Sequence, residues 1–181
     1  MADDVGWLPS LITLEDHANN WEHYLDAIYA IYKVDFLDSR PKYRGTPVGV
    51  KRLPIERGKE AGFWHLIQEG PVEDDRVPDL RRCERIRWPR PIIEHALEKS
   101  ILIWPNIRHT KTGIQKNVCL WLERHEYLVV LRERKSGYLF WTAYPVIEEP
   151  RKRKLRREYH ESRKTGDAVS SDPDTPSTHG R

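Results

Sequence analysis

The sequence predicts an α+β domain, with helices first and an antiparallel sheet after them. Three observations predict it. Between Leu14 and Asp35 apolar residues recur every three or four positions. From Ile101 onward, short runs rich in aromatic and β-branched residues are punctuated by turn residues. Lys135-Ser136-Gly137 separates two of those runs as a hairpin turn does.

The elements follow in order. Trp21, Tyr24, Leu25, Ile28, Ile31 and Tyr32 form one apolar stripe, so a helix is expected over 14–35, capped by Thr13 or Asp16. Residues 38–61 hold Pro41, Gly45, Pro47, Gly49, Pro54 and Gly58 and read as loop or short extended pieces around Val48-Gly49-Val50. Phe63–Ile67 reads as a short strand, ended by Gly70-Pro71. A helix is expected over Val77–Arg87, with Pro78 in its first turn and Leu80, Cys83 and Ile86 on one side. Trp88-Pro89-Arg90-Pro91 breaks it, and Ile92–Lys99 restarts a second short helix. Ile101–Trp104, Asn117–Leu122, Tyr127–Arg132 and Tyr138–Tyr144 then make a roughly four-stranded sheet, with residues 106–116 as a polar loop.

Length and composition set the organisation. A chain of 181 residues fits one domain with a tail. Apolar residues are only 38%, but seven Trp and eight Tyr each bury a large ring. The net charge of +3 is unevenly spread. Residues 150–181 hold 9 basic and 5 acidic side chains, and residues 1–149 hold 22 and 23. The division is therefore a globular part over 1–149 and a tail over 150–181. The tail opens with the basic block Arg151–Arg157 and ends in a Ser/Thr/Pro/Asp-rich stretch, 166–181, expected to be disordered. Without net positive charge, the globular part is no generic polyanion binder. Cys83 and Cys119 give no disulfide framework and read as reduced core residues, as in the cytoplasm. No run of about 18 apolar residues and no signal-peptide pattern occurs, so neither membrane span nor export is expected.

Several chemistries lack their motifs. There is no GxxxxGK[ST] or GxGxxG, so no nucleotide cofactor is expected. His125-Glu126 begins an HExxH string, but Val129 stands where the second histidine belongs. Glu133-Arg134-Lys135 matches the E-x-K of metal-dependent nucleases, yet no Asp lies between Asp79 and Asp167 to share a metal, and only Glu123 offers a substitute. No metal is expected.

What remains suits RNA. On the last strand Tyr138, Phe140, Thr142 and Tyr144 alternate onto one face by parity, which would be the open one. Whether Arg132 joins that face depends on a one-residue choice of register. His65, inside an apolar run, reads either as a buried structural imidazole or as a general acid or base. Arg81, Arg82, Arg85 and Arg87 offer a phosphate clamp, or else a solvated helix face partnered by Glu84. Lys111, in His109-Thr110-Lys111, is a loop candidate for touching substrate. Trp121 and Tyr144 could stack on unpaired bases, at about 1–3 kcal/mol each. RNA supplies its own nucleophile, the 2′-hydroxyl. Cleavage needs a base, an acid and a cation at phosphorus, and acid–base help contributes about 10²–10⁴ in rate.

The pattern FWHLI…RRCERIRW…WLER…YLVVLRER…GYLFWTAYPV resembles the barnase–EndoU–colicin–RelE superfamily of small RNases, and most closely its phage and bacterial-toxin branches. The resemblance spans roughly residues 63–146. It implies helices on one face of a four-stranded antiparallel sheet and an RNA cleft on the other. It implies metal-independent cleavage to a 2′,3′-cyclic phosphate by a toxin restrained by an antitoxin partner. It also implies that His65 is the acid–base residue, that Thr142 and Tyr144 bind phosphate or orient the base, and that Arg85 or Arg82 stabilises the phosphorane. Two other classes compete: a non-catalytic RNA- or ribosome-binding protein, and a protein-interaction module without nucleic acid.

Overall fold

The computed structural model describes residues 5–70, 76–111 and 113–169. Its elements are α1 (Trp21–Tyr32), β1 (Lys42–Tyr43), β2 (Thr46–Val50), β3 (Ile55–Glu56), β4 (Lys59–Glu60), α2 (Ala61–Ile67), β5 (Gln68–Glu69), β6 (Val77–Pro78), α3 (Leu80–Glu84), α4 (Pro89–Glu94), β7 (Leu102–Thr110), β8 (Gly113–Leu122), β9 (Tyr127–Arg134), β10 (Gly137–Pro145) and α5 (Glu149–Val169). The class is α+β. The sheet, however, has six strands in the order β1-β2-β10-β9-β8-β7, and it is mixed rather than four-stranded and antiparallel. The antiparallel meander β7 to β10 is present. What composition hid is β2, which pairs parallel with β10 through Val48↔Tyr138, Gly49↔Leu139 and Val50↔Phe140.

The segment expected to be loop or short extended pieces holds two hairpins of short strands, β1–β2 and β3–β4. Each turns on an Arg-Gly pair with both residues in the left-handed region, Arg44-Gly45 and Arg57-Gly58. That geometry matches strand twist, and glycine meets it without Cβ strain.

The expected helix 14–35 is broken near its start. Ala18 and Asn19 have φ of 54° and 57°, so a single turn, Glu15–His17, precedes α1. The N-cap of that turn is Leu14, with no side-chain cap, and Thr13 N and Oγ1 donate to Asp16 Oδ2 beside it. Asn20 caps α1 by accepting from His23 N at 3.1 Å. Tyr24, Ile28 and Tyr32 then bury one face, and Phe36 continues it in the wider turns of Lys33–Asp38.

Phe63–Ile67 is helical, not extended. Ala61, Phe63, Trp64, Leu66 and Ile67 are buried in α2, and so short an apolar run fits either period. The 77–87 helix shortens to α3, with Pro78 in β6, while Pro89-Arg90-Pro91, expected to break the chain between helices, instead begin α4, which ends at Glu94. Residues 106–116 are not a loop. β7 and β8 pair from Leu102↔Trp121 to Thr110↔Gly113, and past Asn106 both faces of the ribbon meet solvent.

The sheet is covered on two sides. Tyr24, Ile28, Tyr32, Phe36, Phe63, Ile92 and Ile93 pack with Leu120, Tyr127, Val129, Leu131, Phe140 and Ala143 in the main core. On the other side, Leu155 of α5 packs with Trp104, Cys119, Trp121, Leu128 and Val146. The basic block is thus a packed helix rather than a free arm beyond residue 149. Lys152 pairs with Glu126 and Glu149, and Arg156 with Glu123. The helix runs to Val169, into the stretch expected to be disordered, and 170–181 fall outside the described residues. No helix among the described residues is long and apolar enough to cross a membrane.

Candidate nucleic-acid interface along the last strand

Register and a bulge together decide what faces solvent. Arg132 opposes Leu139 and Glu133 opposes Tyr138, which puts Arg132 on the side away from Tyr138 and Phe140. Between Phe140↔Leu131 and Thr142↔Val130 the ladder slips, leaving Trp141 as the extra residue. A bulge reverses the alternation beyond it. The parity expectation is corrected accordingly: Phe140 and Ala143 are buried against the N-terminal helices, while Thr142 and Tyr144 share the side of Arg132. The register and the bulge offset each other, and Arg132, Thr142 and Tyr144 come together on one side.

Two groups converge on the bulged indole. The Arg132 guanidinium carbon lies over the Trp141 ring, 3.4 Å from its centroid, a cation–π contact. The His65 ring meets Trp141 edge-on at 5.8 Å. Helical placement brings His65 there, because α2 packs beside β10. Its Nδ1 lies 3.1 Å from Nη1 of Arg76, which also donates from Nε to Gly70 O. Arginine only donates, so this nitrogen accepts and the neutral ring carries its proton on Nε2. Glu56, Arg57, Gln68 and Arg76 line a cleft of about 200 Å³ with His65.

An adjoining cleft of about 280 Å³ lies on the other side of β5, where Glu69 replaces Gln68 in the lining. It holds Arg81, Arg82, Asp79, Tyr144 and Arg151. Arg82 stands over the Tyr144 ring at 5.3 Å, and Arg151 donates to the Tyr144 hydroxyl at 2.8 Å. Arg81 is pinned to Asp79 by two hydrogen bonds of 3.2 Å. A hydrogen bond shared with Asp79, then burial, raises the Glu69 pKa above the ordinary carboxylate range. Glu69 had no sequence signal beyond a polar residue before Gly70. Its partnering with the half-buried Asp79 is what marks it.

Three expected site residues lie elsewhere. Arg85 follows the last turn of α3, stacks on Trp88 at 5.0 Å and donates to Arg81 O, in neither cleft. Trp121 is fully buried beneath α5, so it has no face for a base. Lys111 is at the tip of the β7–β8 hairpin. Among the described residues no three His, Cys, Asp or Glu side chains gather as metal ligands. No family model, curated protein or solved structure shows significant similarity to this chain.

Proposed function

We propose that the chain is a metal-independent endoribonuclease of toxin type, acting at the bulge of β10. The observation that carries this reading is the meeting of the His65 imidazole and the Arg132 guanidinium on Trp141, beside the Thr142 hydroxyl. An unpaired base would stack at the aromatic bulge, and its phosphate would accept from Arg132 and Thr142. The 2′-hydroxyl attacks phosphorus and forms the 2′,3′-cyclic phosphate. His65 acts as the acid in its imidazolium form, with Arg76 moved off Nδ1 and both nitrogens protonated; it gives the Nε2 proton to the departing 5′-oxygen and returns to the neutral ring. The proton of the 2′-hydroxyl falls to Glu69, the carboxylate with raised proton affinity in the adjoining cleft. Arg82 and Tyr144 would hold the neighbouring phosphate. The resemblance to the toxin RNases supports the same assignment of His65, Thr142 and Tyr144, and a cytoplasmic target with a neutralising partner goes with it.

One observation favours a second reading, a protein that binds RNA without cutting it: β5 separates His65 from Glu69 and Arg82. Incubating purified protein with total RNA, with and without EDTA, decides between them. EDTA-resistant cutting that leaves cyclic phosphate ends and falls at least about 10²-fold in His65→Ala is expected. Salt-sensitive binding with no cutting would leave only the second reading.

A further inference from the structure

The side of the sheet that carries Arg132 extends away from β10 onto the β7–β8 hairpin. Three guanidiniums gather there. Arg132 and Arg134 are alternate residues of β9 and share a face, and Arg108 of β7 pairs with Gln115 of β8. Arg132 donates from Nε to Asn117 Oδ1 at 3.3 Å and from Nη2 to Gln115 Oε1 at 2.9 Å. Arg108 donates from Nε to Asn106 Oδ1 at 3.1 Å. Every one of these acceptors is a neutral amide, and Asn117 is itself buried. No carboxylate forms an ion pair with Arg108, Arg132 or Arg134 among the described residues. Residues 99–122 contain no acidic side chain at all, while holding Lys99, Arg108, Lys111 and Lys116. Glu158 of α5, which reaches this side, is held by Trp104 Nε1 and Asn106 Nδ2.

Arg81, Arg90, Arg156 and Arg157, by contrast, each have a carboxylate. Burial, and repulsion from Arg134 and Arg108, lower the Arg132 pKa, so the fold holds this cation against an electrostatic penalty. Neutral amides orient the guanidinium without discharging it, and the indole fixes its plane. Like charges held together in this way are relieved by an anion from outside. We propose that Arg108, Arg132 and Arg134 form a binding site for a backbone phosphate of a nucleic-acid strand that continues past the bulge of β10 across β9, β8 and β7. This rests on the ribonuclease reading for its choice of anion, because the site is continuous with Trp141 and His65. It makes the preferred substrate an extended strand rather than a dinucleotide. Arg108 and Arg134 are exposed, so neutralising them leaves the core untouched.

The test uses the full chain and a single-stranded DNA oligonucleotide, which has the phosphates but no 2′-hydroxyl to attack. Binding is followed by Trp fluorescence over a salt series. For single strands the slope of log K against log salt changes by about 0.7 for each phosphate that is no longer neutralised. The variant Arg108→Ala/Arg134→Ala should flatten the slope by about 0.7, the share of the one phosphate, while His65→Ala keeps the wild-type slope. On RNA the same variant should raise KM for long strands and leave dinucleotide cleavage unchanged. An unaltered DNA slope in the double variant overturns the site. So does a wild-type protein that ignores DNA but binds polyglutamate, which would give the surface to an acidic protein partner. If no RNA is cut and the DNA slope still flattens, the phosphate site stands and the ribonuclease reading falls.

Discussion

Trp141 is the residue on which the site depends. It lies on the face opposite buried Phe140, the bulge at its position turns Thr142 to that same side, and its ring meets both His65 and Arg132. Burial at single positions has other consequences. Both thiols are buried, and desolvation pushes Cys83 and Cys119 up to about 12. Neither is poised as a nucleophile. Asp35 illustrates a titration that acts against the fold. Burial, opposed by Arg90 and assisted by Glu94, raises its pKa. A carboxyl with a raised folded-state pKa contributes stability below its unfolded value and loses it as pH rises through the folded value. Asp35→Asn should therefore raise the urea midpoint at neutral pH, with the gain vanishing as pH falls below the ordinary carboxylate range. A gain that persists in acid would show that the ionised carboxyl is not its source.

Among the elements, α5 departs furthest from its composition. Its mean content is basic and polar, yet Leu155 is 1% exposed and Lys152 only 9%. Arg151, Lys152 and Arg156 are engaged by Tyr144, Glu126, Glu149 and Glu123, which leaves Arg153, Lys154 and Arg157 facing outward. Leu155→Ala should cost about 2–5 kcal/mol, read from chemical denaturation, because nothing in the tryptophan-lined cluster can refill the space. A loss under about 1 kcal/mol would mean that the helix is only loosely seated. α2 is constrained differently. A Cβ on Gly62 would lie 2.7 Å from both Lys51 O and the Tyr32 hydroxyl. Gly62→Ala should destabilise by about 1–3 kcal/mol and displace His65 along with the helix. Thermal denaturation and the cleavage assay should register the two effects together.

At the scale of the molecule, one sheet serves two cores. Val129 and Leu131 face the N-terminal helices, while Leu128 faces α5 from the adjacent position of the same strand. Losing either cover exposes the other through the shared ladder. Unfolding is therefore expected as a single transition, with far-UV and near-UV circular dichroism coincident. A separate early loss confined to the helical signal would mean that α5 melts by itself. The same two-sided cover explains why RNA binding is proposed at the β10 bulge and at the hairpin. Helices occupy the middle of each face, and the β10 bulge and the ribbon beyond Asn106 remain open.

The amino-acid sequence by itself determined what depends on neighbours: the stripe of α1, the meander of the last strands, the hairpin at Lys135-Ser136, and the chemical types grouped around His65, Arg82, Arg132, Thr142 and Tyr144. Local pattern carries these because side-chain period and turn chemistry act within a few residues. The parallel pairing of β2 with β10 was decided in three dimensions, since its partner lies far along the chain and Pro47 and Gly49 disguise it. The face of Thr142 was decided by a single inserted residue in the ladder. Trp121 was assigned to the interior only when α5, polar by composition, proved to have one apolar anchor. Burial belongs to the assembled layers, so a tryptophan on a strand reads alike in sequence whether it meets a base or a helix.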